Sequence, residues 1–395
     1  MKGARDGDER LFGRDFLLVC ASNMMAFFSI YMIIPVLPVF LEERGYSNSL
    51  IGALMSMATM AALLRPAFGR LADRGGRKVV LVWGTLLLSL STFLYVAFRT
   101  AVPLFLVRFL NGFGLAAFHT AAYAMVGDLA PRSRRLQAIA FFYISVDVTI
   151  ALAPVLAEAV VDAWGYTILY LLAGGAAGLA FLCSLMVRET RTGMTGVGEG
   201  EPPRRRLTSL HMAVYLGTMG FTLTFGALQT FVVLSSLEKG IEQGELFFTV
   251  FAVTLIAFRL LVGRKADRFP RELLILASGA VTLAGLATLA FAPSLALLVL
   301  GSFLYALGFA YLPTTMSALL LDHTPEESRG LALGIFMAVF DSGVGLGGLA
   351  LGPLADGLGY PAMYMISGAL AMACLAYFLL VSRSVRGEAS REAYR

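Results

Sequence analysis

The sequence predicts an all-α integral membrane protein, with twelve transmembrane helices in two pseudo-symmetric six-helix bundles. Three observations carry that expectation. The 395 residues are 58% hydrophobic and 14% charged, where a soluble chain is about 45–50% apolar and about 25% charged. Apolar runs, each long enough to cross a hydrocarbon core of about 30 Å, recur from end to end. The second half of the chain also repeats the first at a constant offset of 194 residues.

The runs fall at 15–41, 48–68, 78–98, 103–127, 135–160, 165–187, 209–236, 244–263, 272–292, 294–320, 330–355 and 360–382. The first is longer than a signal h-region of about 7–15 residues, and no small-residue cleavage site follows it, so it reads as the first span. It ends in IIPVLPVFL (33–41), where Pro35 and Pro38 predict a kink. The eleventh, carrying Gly343, Gly345, Gly347, Gly348 and Gly352, is the weakest helix prediction. Between the sixth and seventh runs, RETRTGMTGVGEGEPPRRRLTS is rich in Gly, Pro, Thr and charge, and reads as a flexible linker. The expected domains are therefore 1–187, a linker at 188–208, and 209–395. Cys20, Cys183 and Cys374 are isolated within spans and suggest neither a disulfide framework nor a metal site.

The net charge of +5 is a topology signal rather than a nucleic-acid footprint. Of the 31 Lys and Arg, 27 lie in the tails, the linker and alternate loops, with Arg65 counted among them; the opposite loops hold Arg44, Arg99 and Lys239, and Arg108 lies inside a span. This asymmetry predicts cytoplasmic N- and C-termini in a bacterial inner (plasma) membrane, with contacts to anionic lipid.

The repeat runs without a gap. FGRLADR (68–74) falls on VGRKADR (262–268), and Arg65 on Arg259. Asp128, Pro131 and Arg135 fall on Asp322, Pro325 and Arg329, Tyr170 on Tyr364, and Asp147 on Asp341. Each half has an even number of spans, so the repeats lie parallel, and transporters built this way place substrate between the repeats near the midplane.

The stretch GRLADRGGRKVVL (69–81), with its weaker copy GRKADRFPR (263–271), resembles the loop between helices two and three of the major facilitator superfamily. The pattern predicts that Gly69 allows close helix packing, that Gly75 and Gly76 make a tight reversal, and that Asp73 is an anion for a positive helix N-terminus. The resemblance implies a gate: Asp73 facing the start of helix eleven, and Arg70, Arg74 or Arg77 paired with Asp128, with Asp267, Arg268 and Asp322 as counterparts in the copy. Pro35-Val36-Leu37-Pro38, LVRFLNGFGLAAF (106–118) and GLALGPL (348–354) resemble signatures of the twelve-helix drug:proton antiporter family. Its helix-five glycine motif is eroded here to Thr149, Ala153, Pro154, Ala157 and Glu158.

Ionisable residues inside spans are functional candidates by default. Arg108, Gly112, Leu115 and His119 share one helical face, with Asn111 beside it. Counted from the cytoplasmic cations, His119 and Asp147 lie about 18–20 Å along neighbouring helices, at similar depth. Asp147 is the expected proton site, because exchange needs one carboxylate for which a proton, a helix-four cation and substrate compete; permanent pairing with Arg108 or His119 is the structural alternative. Asp341 is its symmetry mate. Asn23, Tyr31, Asn111, Tyr143, Gln229, Tyr305 and Tyr311 are candidate substrate contacts.

These readings predict a secondary transporter using alternating access, coupling protons to efflux of small amphipathic compounds as a multidrug-type antiporter. An anionic metabolite, metallophore or lipid headgroup is the alternative cargo, and a transporter-like sensor the alternative role. The expected partners are substrate, protons and lipid, with no cofactor, no metal, no nucleic acid and a monomeric chain. Three His and no HExxH or GxSxG element in a span argue against an enzyme.

Overall fold

Twelve apolar helices make up the computed structural model, which describes residues 12–131, 134–190, 208–261, 271–325 and 328–393. Eight are separate: α1 Arg14–Glu42, α2 Asn48–Gly75, α3 Arg77–Ala97, α4 Ala101–Leu129, α7 Ser209–Glu238, α8 Leu246–Leu261, α9 Arg271–Ala290 and α10 Leu295–Asp322. The other four come as two continuous helices, Arg135–Met186 and Arg329–Ala393, of 52 and 65 residues. About 20 residues cross a bilayer, so each is a pair of spans. Each turns at a single glycine in the left-handed region, Gly165 (φ 78°) and Gly359 (φ 78°), a conformation that costs glycine little and other residues more. We therefore number α5 135–164, α6 166–186, α11 329–358 and α12 360–393.

Local chemistry explains the breaks. α1 is interrupted between Ile33 and Val36 at Pro35, which lacks an N–H and crowds the preceding turn. α2 passes through a 3₁₀ turn, Ala61–Leu64, immediately before Arg65 and Pro66; such a mid-helix tightening often marks a hinge.

The offset of 194 recurs in three dimensions. Arg77 pairs with Asp128, and Arg271 with Asp322. Gly114 lets α4 approach α3 so closely that a Cβ there would meet Leu88 N at 2.7 Å; at Gly308 it would meet Ser278 O at 2.6 Å and Thr282 N at 2.8 Å. The glycines that weakened the eleventh prediction serve the same purpose. Gly343 and Gly347 pack on α7, at Met219 O and Ala227 N, while Gly348 and Gly352 pack on Gly52 O and Asn48 O of α2. Small residues at helix contacts are how spans pack without a hydrophobic driving force.

The end that carries the linker and both chain termini is here called the linker end, and the opposite one the far end. At the far end the first six helices meet the last six. Asn48 N and Ser49 N donate to the Asp356 carboxylate at 2.8 Å each, so an α11 side chain caps the start of α2. Tyr360 Oη donates to Asn48 Oδ1 at 2.8 Å, and Ser56 Oγ to Gly345 O at 2.6 Å. On the other side Thr249 Oγ1 of α8 donates to Ala151 O of α5 at 2.6 Å.

The 69–81 stretch departs from its expected roles at two points. A Cβ at Gly69 would meet only Thr120 Cγ2, at 3.9 Å, so this glycine is not needed for close packing. Gly76 alone carries the reversal, at φ 98°. Glu189 supplies an anion at a helix N-terminus: it accepts from Arg77 N at 3.1 Å and Lys78 N at 2.9 Å and so complements the α3 dipole. Asp73 is exposed in the last turn of α2, as are Arg70 and Arg74 nearby; of the three candidate arginines, Arg77 takes Asp128. Asp267, Arg268 and linker positions 191–207 lie outside the described residues.

Candidate functional site

A cavity of about 610 Å³ lies between the two sets of six helices. It is walled by α1, α2, α4 and α5 on one side and α7, α8, α10 and α11 on the other. The packed far end closes it. Ala140, Ser317 and Phe336, within about two turns of their helix ends, line it toward the linker end.

Most of the wall is apolar: Phe27, Met55, Phe225, Phe309 and Phe340. Three charged groups and one imidazole interrupt it. Arg65 of α2 and Asp341 of α11 form an ion pair of 3.0 Å across the cavity, with side chains 27% and 21% exposed. Arg65 stands where the 3₁₀ turn of α2 ends. Arg108 is 2% exposed; its Nη2 donates to Met55 Sδ at 3.3 Å, while Nε and Nη1 have no hydrogen-bond partner. A buried guanidinium with free donors is costly until an acceptor arrives. His119 packs between Phe27 and Phe142, ring centroids 5.3 and 5.5 Å away, and its Nε2 is also unbonded. Arg108, Gly112, Leu115 and His119 all line the cavity.

Asp147 is 4% exposed and stands behind the wall: its neighbours Ile144 and Val146 line the cavity, and it acts electrostatically on Tyr31, which lines it too. Tyr143 and Gln229 also line it. Four other sequence candidates lie elsewhere. Asn23 Nδ2 donates to Phe142 O (3.2 Å) and Ser145 Oγ (2.9 Å), tying α1 to α5. Asn111 Nδ2 donates to Thr92 Oγ1 at 2.9 Å, tying α4 to α3. Tyr305 shares a hydrogen bond of 2.9 Å with Thr224, and Tyr311 stands edge-on to Phe258 with ring centroids 4.4 Å apart. Polar residues inside a span bridge helices as readily as they face a cavity, and composition does not separate the two.

The residue missed is Arg65. It falls inside the second apolar run, 48–68, so the rule that flagged Arg108 applied to it equally; counting it with the loop cations hid it. Among the described residues no group of three or more His, Cys, Asp or Glu is placed to hold a metal.

This architecture has counterparts. The staphylopine export protein of Staphylococcus aureus is 23% identical over 366 residues, 85% of this chain and 89% of the relative. The quinolone resistance protein NorA of S. aureus is 25% identical over 216 residues, 54% of this chain and 55% of NorA. A crystal structure of a mutant of the nucleoside transporter NupG superposes with a TM-score of 0.80 at 15% identity, covering 92% of this chain and 99% of that one. The family model of the Major Facilitator Superfamily matches residues 19–244 and 210–393. Spanning nearly the whole chain, that match places the protein in the major facilitator superfamily of membrane transporters.

Proposed function

We propose that the chain is a proton-coupled exporter of small amphipathic compounds, working by alternating access between bundles 1–187 and 209–395. The observation that carries this reading is the cavity between the bundles, sealed at the far end and crossed by the Arg65–Asp341 pair. An ion pair that joins two moving bodies can break when either partner is neutralised. A proton on Asp341 releases Arg65, and a proton on Asp147, one layer behind, changes the field at the same aromatic wall. Export is favoured by likeness to a staphylopine export protein and a quinolone resistance protein. The basic tails and loops favour cytoplasmic termini, which makes the conformation inward-facing; a monomer in the plasma membrane completes the reading.

The test is purified protein in proteoliposomes under an imposed pH gradient, with a panel of amphipathic cations, zwitterions and anions. Asp147→Asn is expected to abolish proton-driven transport while leaving substrate exchange measurable, and Asp341→Asn to reduce both. Full proton-driven transport by Asp147→Asn sinks its coupling role.

A second reading, an anionic cargo, has its own support. Arg108 is a buried cation on a residue that lines the cavity, and a carboxylate or phosphate is the group that matches a guanidinium. Saturable transport of the anions alone from that panel, lost in Arg108→Gln, decides for it.

A further inference from the structure

The far-end seal has two seams, and they differ in charge. On the α2–α11 seam the Asp356 carboxylate meets two backbone donors. On the α5–α8 seam carboxylates meet each other. Thr249 and Ala151 mark where α8 and α5 touch. One turn toward the far end from Thr249 is Glu245, and two turns from Ala151 is Glu158. These helices run antiparallel, so the shared faces bring the two side chains to the same seam.

Glu245 is 6% exposed, and its Oε2 has no hydrogen-bond partner. Glu158 is half-buried, and the charges that act on it are Glu245, Asp162 and Glu43, all of one sign. Asp162 of α5 also acts on Glu245. The nearby cations are engaged elsewhere. Arg44 lies over the Phe40 ring and donates to Phe40 O at 2.8 Å. Lys239 Nζ donates to Leu289 O and Ala290 O, at the end of α9. Tyr166 of α6 hydrogen-bonds Glu43. Among the described residues these carboxylates do not converge into a metal-holding group.

We propose that Glu158 and Glu245 form a proton-binding site on the far-end gate, distinct from the cavity, at which one of the two takes a proton whenever that end is closed. Two carboxylates held in each other's field on one partly buried seam resist being ionised together. Closure therefore binds a proton from the compartment the far end faces, and opening hydrates the pair and releases it. Burial pushes the Glu245 carboxyl up, against a hydrogen bond from its own backbone N–H that pulls it down, and Asp162 adds to the rise. A group that binds its proton more tightly in the closed state favours closure below its raised value, and that advantage is lost as pH rises through it. The site needs the two ends to alternate; it needs neither the coupling role of Asp147 nor a known substrate.

The experiment measures spin-label distances between Arg99→Cys and Phe291→Cys, at the far ends of the two halves, with Cys20, Cys183 and Cys374 replaced by Ser in nanodiscs. Raising pH from about 5 to about 8, across the carboxylate and histidine ranges, is expected to lengthen the distance in the parent protein. Glu158→Gln with Glu245→Gln is expected to stay closed throughout, and Glu158→Ala alone to open only at higher pH than the parent. A double variant that keeps the parent's pH profile overturns the proposal, as does a parent indifferent to pH. Closure at high pH by sodium, calcium or spermidine, lost in the double variant, replaces the proton site with a cation site. Asp147→Asn is expected to keep the pH-dependent distance even where transport is lost, which separates failure of this proposal from failure of the coupling reading.

Discussion

At the scale of single residues, Arg65 and Asp341 make the sharpest statement about energetics. Each is about three-quarters buried and each is the other's ion-pair partner. Removing one leaves a charge uncompensated, whereas removing both leaves a neutral contact. Arg65→Gln and Asp341→Asn are each expected to lower the melting temperature in nanodiscs, and the double variant to recover part of the loss. The coupling should fall within roughly 0.5–3 kcal/mol, and strictly additive single effects refute the pairing as an energetic unit. The same residues show what the sequence made legible at the site. Asp147 and Asp341 were found because a carboxylate in a greasy run is conspicuous, and the offset doubled the signal. The partner of Asp341 was not found, because pairing needs the 3₁₀ turn of α2 to carry Arg65 into the cavity, and no periodicity announces that turn. Asn23 and Asn111 were placed at the cavity by polarity alone, yet they bracket helices.

At the scale of elements, the helices were legible in number and order, with α2 and α12 running on past their apolar runs to Gly75 and Ala393, since a run of about 20 apolar residues leaves the backbone no alternative to helix in lipid. The exceptions are instructive. Gly165 and Gly359 make corners so tight that α5 runs into α6 and α11 into α12 without a loop. The cap on α2 is contributed by another element, 307 residues away in the chain, and local sequence holds no record of it. In the proposed alternating access this cap is lost when the far end opens, so it belongs to the conformational equilibrium. An N-cap is worth about 1 kcal/mol. Asp356→Ala is therefore expected to raise the open population roughly five-fold, read as faster maleimide labelling of a Ser56→Cys reporter in a cysteine-free background. An unchanged labelling rate assigns the α2–α11 seam to glycine packing alone.

At the scale of the whole molecule, charge and aromatic placement orient the bundle. Both tryptophans are exposed, Trp83 at 65% and Trp164 at 66%, the first toward the linker end and the second at the far-end corner. Amphipathic rings settle at membrane–water interfaces, so together they bracket the slab. With the cation asymmetry this gives an expected outcome in intact cells. A Phe291→Cys variant reacts with an impermeant maleimide, and a Gly198→Cys variant reacts only after permeabilisation. The reverse pattern inverts the orientation, and with it the assignment of export.

α11 belongs to two bodies at once. Its Gly343 and Gly347 are fastened to α7, in its own half, while Gly348 and Gly352 rest on α2, in the other. One short stretch of sequence thus answers to two demands, and Gly348, which also faces Thr230 of α7, answers to both. A side chain at Gly343 must be accommodated beside Thr222 within its own half, whereas one at Gly352 meets α2 at Asn48 and Ser49 and bears on the seam between the halves. The working speed of such a carrier is then open to inheritance by single steps along one edge of one helix.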